Sequence, residues 1–180
     1  MSSPTASGRR SPIYELDEGP QPAPQRAGLL EWVGMIAVAI VAVVADQITK
    51  SLATRTLDRG EVVQILPVFD LRRIKNTGIA FGQFTEQQSV VMLLAVAAIA
   101  WMLVFFARSG ARSPFFPPAV GLLAGGALSN LVDRIRDGGV TDFLHIHHWP
   151  IFNLADSFIV IGVALLLVGL TQQERQRTST

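Results

Sequence analysis

Four apolar blocks, each about as long as a bilayer is thick, constrain this chain more than any other feature. They run over about residues 29–53, 89–107, 116–132 and 155–170. A helix rises about 1.5 Å per residue, so ~20 apolar residues cross ~30 Å of hydrocarbon. The first block is apolar from Leu29 to Ala45, and its helix is expected to continue through Asp46 to Ala53. The third carries Gly121, Gly125 and Gly126, which lower helix propensity but let helices approach closely in lipid. Trp32 and Trp101 sit near block ends, as interfacial aromatics do. Hydrophobic residues make up 49% of the chain and mean hydropathy is +0.39, more than a soluble domain of this size carries. The expected fold class is an all-α polytopic membrane protein with four transmembrane helices.

The segments between the blocks differ from one another. Residues 1–27 are rich in Pro, Ser, Gly and Gln and bury little, so a disordered tail is expected. They lack the short basic start and small-residue cleavage site of a secretory leader, so the first span should be retained. In the link from Thr54 to Gln88, two β-branched or apolar stretches, 61–66 and 68–74, flank Pro67. They suggest a small extramembrane sheet or hairpin. With no cysteine, disulfides, thiol nucleophiles and Cys-ligated metals are excluded. A net charge of +1 and the absence of a basic patch give no nucleic-acid partner.

Positive charge does not orient the chain. Seven Lys and Arg fall in the tails and the second link, against eight in the first and third links. The second link has Arg108 and Arg112 and no acid, which weakly favours the cytoplasm. Parity is more informative. With four spans, the first and third links share one side of the membrane. Asp46, Asn76, Asn130, Asp133, Asp142 and Asp156 all lie in those links or at the span ends that touch them. Ionisable groups at bilayer depth are costly and mark functional positions.

Asp142 follows a Gly-rich turn in GGVTDF, and Asp156 lies in FNLADS at the start of the fourth block. If both converge in a poorly solvated place, they cannot both ionise easily and share one proton. One could then take a proton from water while the other donates to a carbonyl. Asp156 sits where a helix dipole favours the anion, so it would carry more of the negative charge. Asp156 is equally readable as part of a helix cap with Asn153, and an isolated Asp142 as a turn acid. Arg134 could pair with Asp133 or another acid, or reach to the interface. Asp46 and Lys50 have the i, i+4 spacing of a helix ion pair. His145, His147 and His148 lack the spacing of a metal motif, and no phosphate-binding loop or Ser–Lys motif is present.

Five motifs together resemble the lipoprotein signal peptidase (signal peptidase II) family. They are DQITK (46–50), NTGIAFG (76–82), GGALSNLVDR (125–134), VTDF (140–143) and FNLADS (152–157), in the family's order with similar spacing. The resemblance covers about residues 30 to 170. It implies a multi-pass protein of the bacterial inner membrane, with both termini cytoplasmic and the active site toward the extracytoplasmic face. The peptidase domain would span residues 28–171, with cytoplasmic tails at 1–27 and 172–180. The link after span one would form a small extracytoplasmic β-cradle for the substrate.

The implied activity is aspartic endopeptidase cleavage of diacylglyceryl-modified prolipoproteins, before the lipidated cysteine and without metal or cofactor. The catalytic pair falls on Asp142 and Asp156. Asp46, Lys50, Asn76, Gly78, Asn130, Asp133, Arg134 and Asn153 match positions that bind substrate or support the site. The expected partners are the lipid-modified precursor and membrane lipids, and the protein itself is expected to be a monomer. One departure stands out: only 13 residues, 143–155, separate the two aspartates, and the family's loop is often longer. A presenilin-like intramembrane protease would need GxGD where this chain has GGVTD. A non-enzymatic transporter-like bundle would place its carboxylates along a central path rather than at one edge.

Overall fold

The structure is a computed structural model that describes residues 27–78, 88–109 and 113–178. The tail expected over residues 1–27 therefore lies, but for Ala27, outside the described residues. Four helices follow the apolar blocks: α1 (Leu29–Thr56), α2 (Gln88–Ser109), α3 (Phe116–Asp137) and α4 (Leu154–Thr178). Three of them, α1, α2 and α4, are long and apolar enough to cross a membrane. At 28 residues α1 is about 42 Å long, so the turns after Asp46 extend past a ~30 Å hydrocarbon layer. α4 continues to Thr178, well into the stretch expected as a tail.

The lower hydropathy of α3 has a structural reason. It lies between α1 and α4 and buries eleven residues against them, three of them the glycines 121, 125 and 126. A Cβ on Gly125 would stand 2.6 Å from the Ala39 carbonyl of α1, and one on Gly126 2.6 Å from the Ala155 carbonyl of α4. Neighbouring glycines thus seat the two flanking helices backbone to backbone. Pro117 and Pro118 open the helix, where missing N–H groups cost nothing. Gly138 closes it at φ 68°, its N–H on the Arg134 carbonyl at 3.1 Å. At the other end of the bundle Trp32 of α1 meets Phe106 of α2 edge to face, in a cluster with Met35 and Val120.

A three-stranded antiparallel sheet caps the other end, in the order β1 (Val62–Leu66), β2 (Phe69–Asn76), β3 (Val140–Ile146). Pro67 and Val68 make the turn between β1 and β2, since proline cannot donate to a ladder. The hairpin matches the strands expected around Pro67. The third strand was not expected: the sheet is not built from the first link alone. β3 comes from the link before α4 and pairs with β2 in the register Asn76↔Val140, Ile74↔Asp142 and Phe69↔Ile146. Ala53, Leu57 and Phe143 form a small core that joins the sheet to the end of α1. Beyond β3 the chain turns at His148 (φ 69°) and returns to bridge Leu144 with Phe152. Much of the short segment between Asp142 and Asp156 is thus paired structure.

Candidate active site

Helix α1 brings Asp46, Gln47 and Lys50 to the sheet end of the bundle, and α3 brings Ser129, Asn130, Asp133 and Arg134. Their spacings put each set on one helical face. The Lys50 ammonium has three protons and three acceptors: Asp46 Oδ2 at 2.6 Å, Asp133 Oδ2 at 2.9 Å and Asn130 Oδ1 at 2.8 Å. All three partners are buried. One ammonium against two carboxylates leaves a net negative charge, which further donors spread. Asp46 also accepts from Ser129 Oγ at 2.7 Å and from the Ala155 N–H at 2.8 Å. Asp133 also accepts from Gln47 Nε2 at 2.7 Å and from the Thr141 N–H at 3.3 Å. These charges are fully engaged with one another, and they fix α1, α3, β3 and the start of α4 in one frame.

Asp142 and Asp156 are mounted on that frame. Asp142, on β3, is 2% exposed. Its two oxygens accept from Asn153 Nδ2 at 2.7 Å and from Asn76 Nδ2 at 3.0 Å. Asp156 lies in the first turn of α4 and accepts from Asn130 Nδ2 at 2.8 Å and the Asn153 N–H at 3.2 Å. Asn153 in turn accepts the Asp156 N–H at 3.0 Å, so the two residues close a capping box. The helix-cap reading of Asp156 is therefore correct as far as it goes. The same carboxylate also faces the cluster through its other oxygen. Asn153 holds both aspartates at once, one by its side-chain amide and one by its backbone.

Burial pushes the Asp142 carboxyl up to about 6; the Asn76 amide opposes this, the charge of Asp156 adds to it, and Asn153 and Lys50 oppose it. Two buried carboxyls, each with donors for its anion, can share one proton and act as an acid–base pair.

The remaining expected residues fall around this pair. Asn76 accepts the Gly78 N–H at 3.0 Å, and Gly78 offers its carbonyl to Arg134 at 3.2 Å. Arg134 also donates to the Asn130 carbonyl at 3.3 Å, and Asp156, Asp142 and Asp133 all act on its charge. Thus Asp46, Lys50, Asn76, Gly78, Asn130, Asp133, Arg134 and Asn153 come together with the two aspartates. Sequence reasoning passed over Gln47 and Ser129. Both are polar side chains set in apolar helices, which was the available signal. His145 lies apart, with Nδ1 2.7 Å from Asp70 Oδ1, and His147 is 3.8 Å from the same carboxylate. No cluster suited to a metal ion occurs among the described residues.

Known proteins resemble this chain in sequence and in fold. The family model described as signal peptidase (SPase) II matches residues 38–172. A lipoprotein signal peptidase of Halothermothrix orenii is 38% identical over 77% of this chain and 95% of its own. One of Haemophilus influenzae is 36% identical over 78% of this chain and 86% of its own. A bacterial membrane enzyme solved by the in meso method at 2.3 Å superposes with a TM-score of 0.75 at 28% identity, covering 83% of this chain and 93% of that one. By sequence over most of its length, and by a fold shared with a membrane enzyme, this chain belongs to the signal peptidase II family.

Proposed function

We propose that this protein is an aspartic endopeptidase that removes the signal peptide from diacylglyceryl-modified prolipoproteins, cutting before the lipidated cysteine. Family membership supports signal-peptide removal from prolipoproteins. The observation that carries the finer reading is the shared Asn153: two buried carboxylates on different elements are tied to one residue. In the proposed reaction Asp156 takes a proton from a water as its oxygen attacks the scissile carbonyl. Asp142 gives its proton to the carbonyl oxygen. The tetrahedral intermediate collapses, the C–N bond breaks, and a proton passes to the leaving amine of the lipidated cysteine. The signal peptide leaves with a new carboxylate. Two carboxyls and water suffice for each step. Asp46, Lys50 and Asp133 hold the frame, while Asn76, Asn130 and Asn153 orient the pair.

The same reading places four spans in the bacterial inner membrane, with tails at residues 1–27 and 172–180 in the cytoplasm and a monomeric peptidase domain between them. Pairing of β2 with β3 supports it. Two links that share one sheet lie on one side of the membrane. If α2 crosses, α3 must cross back. With the sheet outside, the dyad meets a lipid-anchored peptide at the outer interface while the acyl chains stay in lipid.

The test is cleavage of a diacylglyceryl-modified precursor by purified protein, alongside its unlipidated counterpart. Asp142→Asn and Asp156→Asn should stay folded and lose about a thousandfold or more in kcat. Full activity in either variant sinks the dyad. Equal cleavage of both precursors points instead to a protease that ignores the lipid.

A further inference from the structure

Besides Lys50, five basic side chains, Arg55, Arg59, Arg73, Lys75 and Arg136, line a cavity of about 540 Å³ outside the dyad, between the end of α1, β2 and the end of α3. Its two acids are already engaged: Asp133 by Lys50, and Asp137 by Arg136. Arg73 donates to the carbonyls of Thr54 and Leu57 at 3.0 and 3.2 Å, which aims a positive charge at the wall without neutralising it. Among the described residues no carboxylate closes an ion pair on Arg55, Arg59, Arg73 or Lys75. The peptidase reading uses none of these four.

Below this cavity lies a second one, of about 350 Å³, lined only by apolar side chains that include Ile36, Ile40 and Val43 of α1, Leu103 of α2 and Leu128 of α3. One face of α1 carries lining residues of both. Positions 36, 40, 43, 47, 51 and 54 recur at intervals of three and four along one face of α1. The first three line the apolar cavity, and Gln47, Ser51 and Thr54 the basic one. On α3 the apolar cavity has Ala124 and Leu128, and the basic one Asp133 and Arg136. Along that α1 face a groove leads from an apolar trough to a basic cup at the sheet end. The wall between the cup and the dyad is the Lys50–Asp133 pair.

We propose that this groove holds one anionic phospholipid of the surrounding bilayer, an acyl chain in the trough and its phosphate in the cup. Guanidinium and ammonium groups with no carboxylate in ion-pair contact, set at a membrane edge, select a phosphate-bearing head group with net negative charge. The adjoining trough selects a lipid over a free anion. This lipid is distinct from the substrate, and its site does not depend on the Asp142–Asp156 chemistry.

The experiment uses the full chain purified in detergent and native mass spectrometry. It is offered dioleoyl phosphatidylglycerol, dioleoyl phosphatidylcholine or inorganic phosphate. One phosphatidylglycerol should be retained in preference to phosphatidylcholine, and millimolar phosphate should not displace it. Arg55→Gln with Arg59→Gln, both at exposed positions, should weaken retention roughly tenfold or more. Val43→Trp, which fills the trough, should weaken it with the cup intact; a melting curve confirms that each variant is folded. Equal retention of the two lipids, or unchanged retention in the folded arginine variant, overturns the proposal. Displacement by phosphate alone makes the cup a phosphate site and overturns the lipid. Displacement by a diacylglyceryl-modified precursor makes the groove part of the substrate path and overturns a separate site.

Discussion

Asp142 is the residue at which burial and chemistry meet, and its titration yields a sign that stability measurements can read. Its carboxyl is pushed from 3.8 to about 6 by burial. A carboxyl raised on folding stabilises the native state below its unfolded pKa, and that contribution is lost as pH rises through the folded value. The window is therefore about pH 4 to 6, and the loss amounts to about 3 kcal/mol at ~1.4 kcal/mol per pKa unit. Asp142→Asn carries no such penalty. Relative to the parent it should gain melting temperature as pH is raised from 4 to 7, while losing cleavage. A difference in melting temperature that stays flat over that range would show that Asp142 does not titrate as a buried acid. At this scale the sequence was informative because the site residues are costly in apolar surroundings, and cost made them conspicuous. It could not say that Lys50 serves two carboxylates at once, or that Asn153 serves both aspartates. Those facts belong to side-chain directions across four elements.

At the scale of elements the informative piece is α3, the least apolar of the four helices. Glycines in an apolar span read as close approach, and the structure gives them a division of labour: Gly125 admits α1 and Gly126 admits α4. The consequence reaches the site, because the Ala155 carbonyl that crowds Gly126 is one residue from Asp156. Gly126→Val should push the first turn of α4 outward, lower the melting temperature and depress kcat more than KM. Gly34→Ala on α1, where an added Cβ meets nothing within 4 Å, is the control and should leave both readouts unchanged or slightly improved. Equal tolerance of the two substitutions would mean that the α3–α4 approach does not position Asp156. Strand β3 shows where sequence reading stopped. VTDFLHI has a strand's composition, but its partner β2 ends 64 positions before it begins. Nothing local announces a pairing at that distance. The hairpin around Pro67 was legible because its turn and strands are contiguous.

Pairing across that distance turns a local sheet into a constraint on the whole molecule. β2 belongs to the link after α1 and β3 to the link after α3, so their ladder fixes both links to one side of the bilayer. Counting charges could not do this, since Lys and Arg divide almost evenly between the two sides. Of the two helices between those links, α2 is long and apolar enough to cross, and a crossing by α2 without a return by α3 would tear the sheet apart. The chain contains no cysteine, so single cysteines can report sidedness without any background to remove. Gln64→Cys on β1 and His147→Cys beyond β3 both replace exposed side chains. Both should react with a membrane-impermeant maleimide in intact cells. Arg108→Cys, exposed at the end of α2, should react only after the membrane is permeabilised. Labelling of Gln64→Cys and His147→Cys from opposite sides would break the four-span arrangement. Labelling of Arg108→Cys alone in intact cells would keep the four spans but invert them, placing the carboxylate cluster in the cytoplasm, where a lipid-anchored precursor held at the outer interface could not reach it.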